Sequence, residues 1–253
     1  MRWGSAGKGK EDHISENPNW YCVKQRAGPL VKECRSLRPR LSKNDTPYER
    51  TEKNKILRPA GDSSVCRSRV DRLELRLALF GYEGRVYTLT FDGDREPGAW
   101  KEVRRYWRSF LRRMKLHRGG PFDYVYLIEG RHGDHRYHIH LVLRDSEFSP
   151  ETVAELWRFG YVYHEPLLRH SKDTYRRRSK YMNKEANDGV RIPVGARTWV
   201  CSKTLTARLP PTELFRSDTG TIDIPSPVRC SGRYQTANEF GAYHYGWYIL
   251  PPT

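Results

Sequence analysis

Two histidines, His138 and His140, flank Ile139 in the run HRYHIHLVLR at residues 135–144. In a strand, residues two apart point to the same face. The two imidazoles would therefore project side by side, with Tyr137, Ile139 and Leu141 facing the other way. Imidazoles placed so can reach one metal ion, although an HxH pair in a sheet is by itself weak evidence for one.

The preceding segment supplies a third group. Between FDYVYLIEG, residues 122–130, and the histidine run lies the turn-forming GRHGDHR. A hairpin centred between Gly133 and Asp134 sets residue i opposite residue 267−i. That register places Glu129 across from His138 on the same face. A carboxylate ending an apolar strand needs a partner, because an unpaired buried carboxylate is costly. A divalent ion would be one. A carboxylate with two imidazoles and open positions suits Mg²⁺ or Mn²⁺ handling a phosphate, and Zn²⁺ would also accept these ligands.

A polarised phosphate needs a nucleophile. The basic run SKDTYRRRSKYMNKEAN, residues 171–187, is predicted as a helix capped by Ser171, and it carries two tyrosines. Tyr181 has Lys184 three residues on, on nearly the same face. Tyr175 lies about 120° away round the helix at 100° per residue, so a single nucleophile, Tyr181, is expected. A phenol attacking a phosphodiester is a problem of positioning and charge stabilisation. Arg176, Arg177, Arg178 and Lys180 are the expected contacts to nucleic-acid phosphates.

Glu129, then His138-Ile139-His140, then Tyr181-x-x-Lys184 in a basic helix, in this order, resemble the HUH endonuclease superfamily. The closer likeness is to single-tyrosine rolling-circle replication initiators of phage and plasmid type. VYTLTFDG, residues 86–93, is similar to that group's first motif, and Trp199-x-x-Ser202-x-x-Leu205 to a segment of its phage members. The resemblance implies a metal-dependent nickase and ligase of single-stranded origin DNA. In it Tyr181 would become linked to the 5′ phosphate and release a priming 3′ hydroxyl, with host replication proteins as further partners. Relaxases differ by placing the tyrosine before the histidines and often adding a third histidine. A non-catalytic RRM-like nucleic-acid-binding module and a single-tyrosine transposase remain as alternatives.

The elements that must position these residues read as follows. GRVYTLTFDG (84–93) alternates as a strand. PGAWKEVRRYWRSFLRRMKLH (97–117) is a helix burying Trp100, Val103, Trp107, Phe110, Leu111 and Met114. Residues 122–130 and 136–143 are strands. Residues 149–159 form a helix capped by Ser149 with Pro150 in its first turn. Residues 160–168 are a strand, then comes the tyrosine helix, and 196–205 read as a last strand. The order β-α-β-β-α-β predicts an α+β fold with a ferredoxin-like or RRM-like antiparallel sheet, with helices on one face. SSVCRSRVDRLELRLALF (63–80) is a leading helix on Val70, Leu73, Leu77 and Phe80. Residues 1–62, polar and basic, read as a flexible arm. Residues 63–205 hold the endonuclease-type domain. Residues 206–253 form a Pro- and aromatic-rich extension, with a closing strand or hairpin preferred over a base-stacking platform.

The bulk numbers agree. There are 46 Lys+Arg against 30 Asp+Glu, a formal net charge of +16 over 253 residues. Such a balance points to a polyanionic partner. Five cysteines without a CxxC argue against a disulfide framework or a cysteine-zinc site and fit a reducing cytoplasm. No apolar run reaches the roughly 18–20 residues of a membrane span, so no membrane partner is expected. A P-loop is absent, so no NTPase domain is expected.

Overall fold

The computed structural model describes residues 19–57, 64–130, 136–184, 197 and 199–252. Ten strands and six helices are formed among them. In chain order they are β1 (Trp20–Ala27), β2 (Leu30–Leu37), α1 (Pro47–Leu57), α2 (Ser64–Ala78), β3 (Gly84–Leu89), α3 (Trp100–Arg118), β4 (Val125–Gly130), β5 (Tyr137–Arg144), α4 (Pro150–Leu156), β6 (Val162–Pro166), α5 (Tyr175–Lys184), β7 (Val200–Cys201), α6 (Lys203–Ala207), β8 (Glu213–Ser217), β9 (Cys230–Asn238) and β10 (Gly241–Ile249). The fold is α+β, with two five-stranded sheets whose paired strands all run antiparallel.

The second sheet has the order β6-β3-β5-β4-β7. Its first four strands enclose α3 and α4 in the split βαβ arrangement. One face carries Tyr87, Leu89, Ile128, Ile139 and Leu141, buried against Val103, Trp107, Phe110 and Met114 of α3 and Val153 of α4. The alternating partners Val86, Val125, Leu127 and Val142 face the other way. They share a core with Leu73 and Leu77 of α2 and Tyr175 and Met182 of α5. Helices thus cover both faces. On the second face they leave open the end where Thr88, Glu129, His138 and His140 stand.

Residues 20–57 are not an arm. They form β1, β2 and α1, and β1 and β2 pair with β8 and β10 in the first sheet, ordered β8-β1-β2-β10-β9. Residues 1–18 lie outside the described residues. The turn between β1 and β2 is Gly28-Pro29. Gly28 has φ +52°, and a Cβ on it would lie 2.2 Å from the Ala78 carbonyl oxygen. A positive φ at the first central position matches a two-residue hairpin turn with glycine there. Residues 206–253 supply β8 and the β9–β10 hairpin, so the tail does form strands.

Two boundaries differ from expectation. The expected strand at 196–205 ends after Cys201, because the Ser202 hydroxyl accepts from Leu205 N and starts α6. Ser202 also ties its segment to β4, its amide donating to the Tyr124 carbonyl at 3.0 Å. Helix α5 begins at Tyr175 rather than at 171, with the Thr174 hydroxyl, not Ser171, accepting from Arg177 N at 3.1 Å.

A buried charge network joins the two halves. Lys32 of β2 contacts Glu74 at 2.8 Å and Asp71 at 3.0 Å, both on α2, and Arg176 of α5 reaches Glu74 at 3.1 Å. Burial works against the charged Lys32, but Glu74 and Asp71 outweigh it and hold its pKa above the ordinary 10.5. Its stabilisation is therefore complete at neutral pH and is lost only as pH rises through that raised value. Lys32→Met leaves two buried carboxylates to Arg176 alone and is expected to cost about 3 kcal/mol of stability. Urea denaturation at pH 7 checks this; an unchanged midpoint would contradict the network's role.

Candidate metal and phosphate site

The β4–β5 register is the one expected: Glu129 pairs with His138 and Leu127 with His140. The connecting residues 131–135 lie outside the described residues. One carboxylate oxygen, Glu129 Oε2, receives both rings, from His138 Nε2 at 2.8 Å and His140 Nε2 at 2.7 Å. The three ligand atoms lie within 4.8 Å of one another. Glu129 is partly buried. Burial alone would raise its pKa, but hydrogen bonds from His138 and His140, and their charge, hold it down to about 2. The carboxylate is thus an anion at any working pH.

Donor type and convergence fit a hard divalent ion, with two neutral imidazoles and one carboxylate on a rigid hairpin and one side open. Thr88 of β3 pairs with His140 across the sheet, and its Oγ1 lies 3.2 Å from His140 Nδ1. With Nε2 turned toward Glu129, Nδ1–H can donate to the Thr88 hydroxyl oxygen. That contact fixes the tautomer a metal ligand needs. Thr88 was not singled out from sequence. The signal was present, since Val86 and Thr88 alternate onto the face of the histidines.

Helix α5 brings the nucleophile candidate to the same edge. Tyr175, Ser179, Met182 and Asn183 are buried. Ser179 Oγ donates to the Val70 carbonyl of α2 at 2.7 Å and locks the helix in rotation. Tyr181 is left on the rim, 56% exposed, its ring centroid 6.1 Å from that of His140 and steeply tilted to it. Tyr175 is fully buried, burial pushes its phenol pKa up, and its hydroxyl has no hydrogen-bond partner among the described residues. It packs in the core and cannot meet a strand of nucleic acid.

A cleft of about 460 Å³ opens beside this edge, lined by Thr88, His140, Tyr181, Arg169 and Arg178 among others. Arg178 also pairs with Glu165 of β6 at 2.8 Å. Arg177 lines a neighbouring hollow with Arg169, Arg178 and Tyr181. Arg176 is not part of this group, being committed to Asp71 and Glu74. Lys180 is exposed on α5 and lines neither hollow. The Lys184 side chain lies outside the described residues. Glu165 and Arg169 were missed from sequence because nothing local marks residues that approach only when β6 folds beside β3.

A family model of replication-associated proteins, the ORF2 type, matches residues 84–186. The matched stretch is under half of the chain, yet it runs from β3 to just past α5 and contains every residue named above in the site. It is consistent with a Rep-type replication initiator. No curated protein and no solved structure matches the chain significantly. No described helix is long and apolar enough to cross a membrane.

If the three groups hold an ion, Glu129→Gln or His138→Ala abolishes Mn²⁺ binding in isothermal titration calorimetry. Thr88→Val, which removes only the hydroxyl beside His140, is expected to weaken it roughly tenfold. Full affinity in the Thr88 variant would show that the hydroxyl does not orient the ring.

Proposed function

We propose that this chain nicks and rejoins single-stranded DNA through a covalent tyrosine intermediate and so starts rolling-circle replication, as an HUH-type endonuclease. The observation that carries the reading is the meeting of Glu129, His138 and His140 with Tyr181, while the other tyrosine of α5 is sealed in the core.

The Tyr181 oxygen attacks the scissile phosphorus. A Tyr–O–P bond forms and the P–O3′ bond breaks. The proton lost from the phenol is balanced by the one gained at the 3′ oxygen. Since one phosphodiester is exchanged for another, the reverse attack by the 3′ hydroxyl reseals the strand. Glu129, His138 and His140 would hold Mg²⁺ or Mn²⁺, which when bound offsets charge on the phosphate oxygens. Arg178 and Arg169, lining the cleft beside Tyr181, hold the phosphate by charge-assisted hydrogen bonds. Lys184, one turn beyond Tyr181, assists at the same phosphate or in deprotonating the phenol. Arg177 and Lys180 position the backbone on either side. The partner is single-stranded DNA at a replication origin, with host replication proteins taking over the freed 3′ end.

The test is adduct formation. Wild type, labelled single-stranded oligonucleotides and Mn²⁺ are expected to give a covalent protein–DNA band on denaturing gels. Tyr181→Phe is expected to abolish it and Tyr175→Phe to keep it. A dead Tyr175→Phe with a live Tyr181→Phe reverses the assignment. Absence of adduct with any metal and a broad oligonucleotide library leaves a non-catalytic binding module instead.

A further inference from the structure

Helix α2 is sided in charge as well as in hydropathy. Val70, Leu73 and Leu77 enter the core. Its carboxylates, Asp71 and Glu74, turn to Lys32 and Arg176. Arg69, Arg72 and Arg76 recur at three- and four-residue steps, one face of the helix. Opposite them runs the segment leading through β7 into α6, with Arg197, Trp199 and Lys203. Together these line a groove of about 810 Å³ that holds no carboxylate among the described residues.

Arg69, Arg72, Arg197 and Lys203 are exposed, and none of them has an ion-pair partner among the described residues. Arg76 is set differently. Its guanidinium lies 5.4 Å over the Trp199 ring, and its Nη1 donates to the Arg72 carbonyl at 2.9 Å. Trp199 thus holds one cation in place while the others stand around it. Like charges gathered in one groove repel one another and do nothing for the fold. Elsewhere this chain pairs its arginines with acids, as Arg85 does with Asp145 at 2.6 Å and Arg178 with Glu165. An unneutralised cluster is what a polyanion requires.

The groove is continuous with the site. β7 runs antiparallel to β4, with Val200 opposite Tyr126 and Cys201 opposite Val125. Stepping back from Val200 to Arg197 therefore moves toward the Glu129 end of β4. On the other side α2 packs on α5, the helix that carries Tyr181.

We infer that this groove is a second nucleic-acid site, a track that binds the phosphates of single-stranded DNA several nucleotides from the bond Tyr181 would attack. The inference rests on the proposed function only for the identity of the strand. The groove contacts backbone, so it binds without regard to base sequence and its affinity falls steeply with salt.

The test is fluorescence anisotropy of a labelled mixed-sequence 20-nucleotide single strand in EDTA, where no chemistry occurs, against the triple variant R69Q/R72Q/R197Q. All three residues are exposed, so an unchanged circular dichroism spectrum and melting temperature are expected. With about 0.7 of a salt-slope unit per phosphate contact, the slope of log K against log salt should fall by about two, and affinity at 0.1 M salt roughly a hundredfold. Affinity and slope unchanged in the triple variant, or wild type preferring a duplex of the same length, would overturn the proposal. Because binding is read without metal, failure of the adduct assay with groove binding intact would sink the nuclease reading alone. Adduct formation with an unaltered triple variant would sink the groove alone.

Discussion

The pairing of β4 with β5 is the constraint on which the rest turns. A slip of one residue would move Glu129 to the face of Tyr126 and Ile128, against α3, and leave the histidines facing apolar side chains. Both faces of the hairpin resist that slip. Tyr126 stacks on Trp107 with ring centroids 4.2 Å apart, and Ile128 and Ile139 are buried beside it. On the reverse, Leu127, Val125 and Val142 meet α2 and α5. The polar groups come just where the apolar pairs end. The metal-ligand geometry is therefore enforced by hydrophobic burial a few residues away, at about 25 cal/mol for each Å² of apolar surface that a slip would expose.

Helix α5 extends the same logic to the nucleophile. Its inward residues fix its rotation, and 100° per residue then decides the fate of each tyrosine. Tyr175 falls inward beside Met182, and Tyr181 falls on the rim beside His140. The basic composition of the helix resolves in the same way. Arg176 is spent on holding the helix to α2, while Arg177 and Arg178 remain near Tyr181. Three consecutive arginines thus have different tasks, which charge counting alone cannot separate.

The second sheet and its helices were legible because each element has a clean period and most contacts are local: the α3 stripe, the Ser149 cap and the β4–β5 hairpin all follow from neighbours in sequence. The first sheet was not. β2 buries Lys32, Glu33 and Arg35, whose charges are satisfied by Asp71, Glu74 and each other. Those residues erase the alternation that marks a half-buried strand. The Gly28-Pro29 pair between two such runs was the one local sign of the hairpin. In the site, Glu129, His138, His140 and Tyr181 could be named from strand and helix periods. Arg169 and Glu165 could not, since they reach the cleft through the long-range pairing of β6 with β3. Arg176 could not be told from its neighbours without knowing that α2 lies beneath it.

The first sheet is threaded in an unusual sense. β1 and β2 precede the site-bearing sheet in the chain, and β8, β9 and β10 follow it. During synthesis the β1–β2 hairpin emerges ahead of that sheet, with the edge of β2 that will take β10 unfilled. Every strand of the other sheet is made before that edge finds its partner. When β10 leaves the ribosome it closes onto a strand made long before it, and in doing so clasps the flanking segments around the one that carries the chemistry.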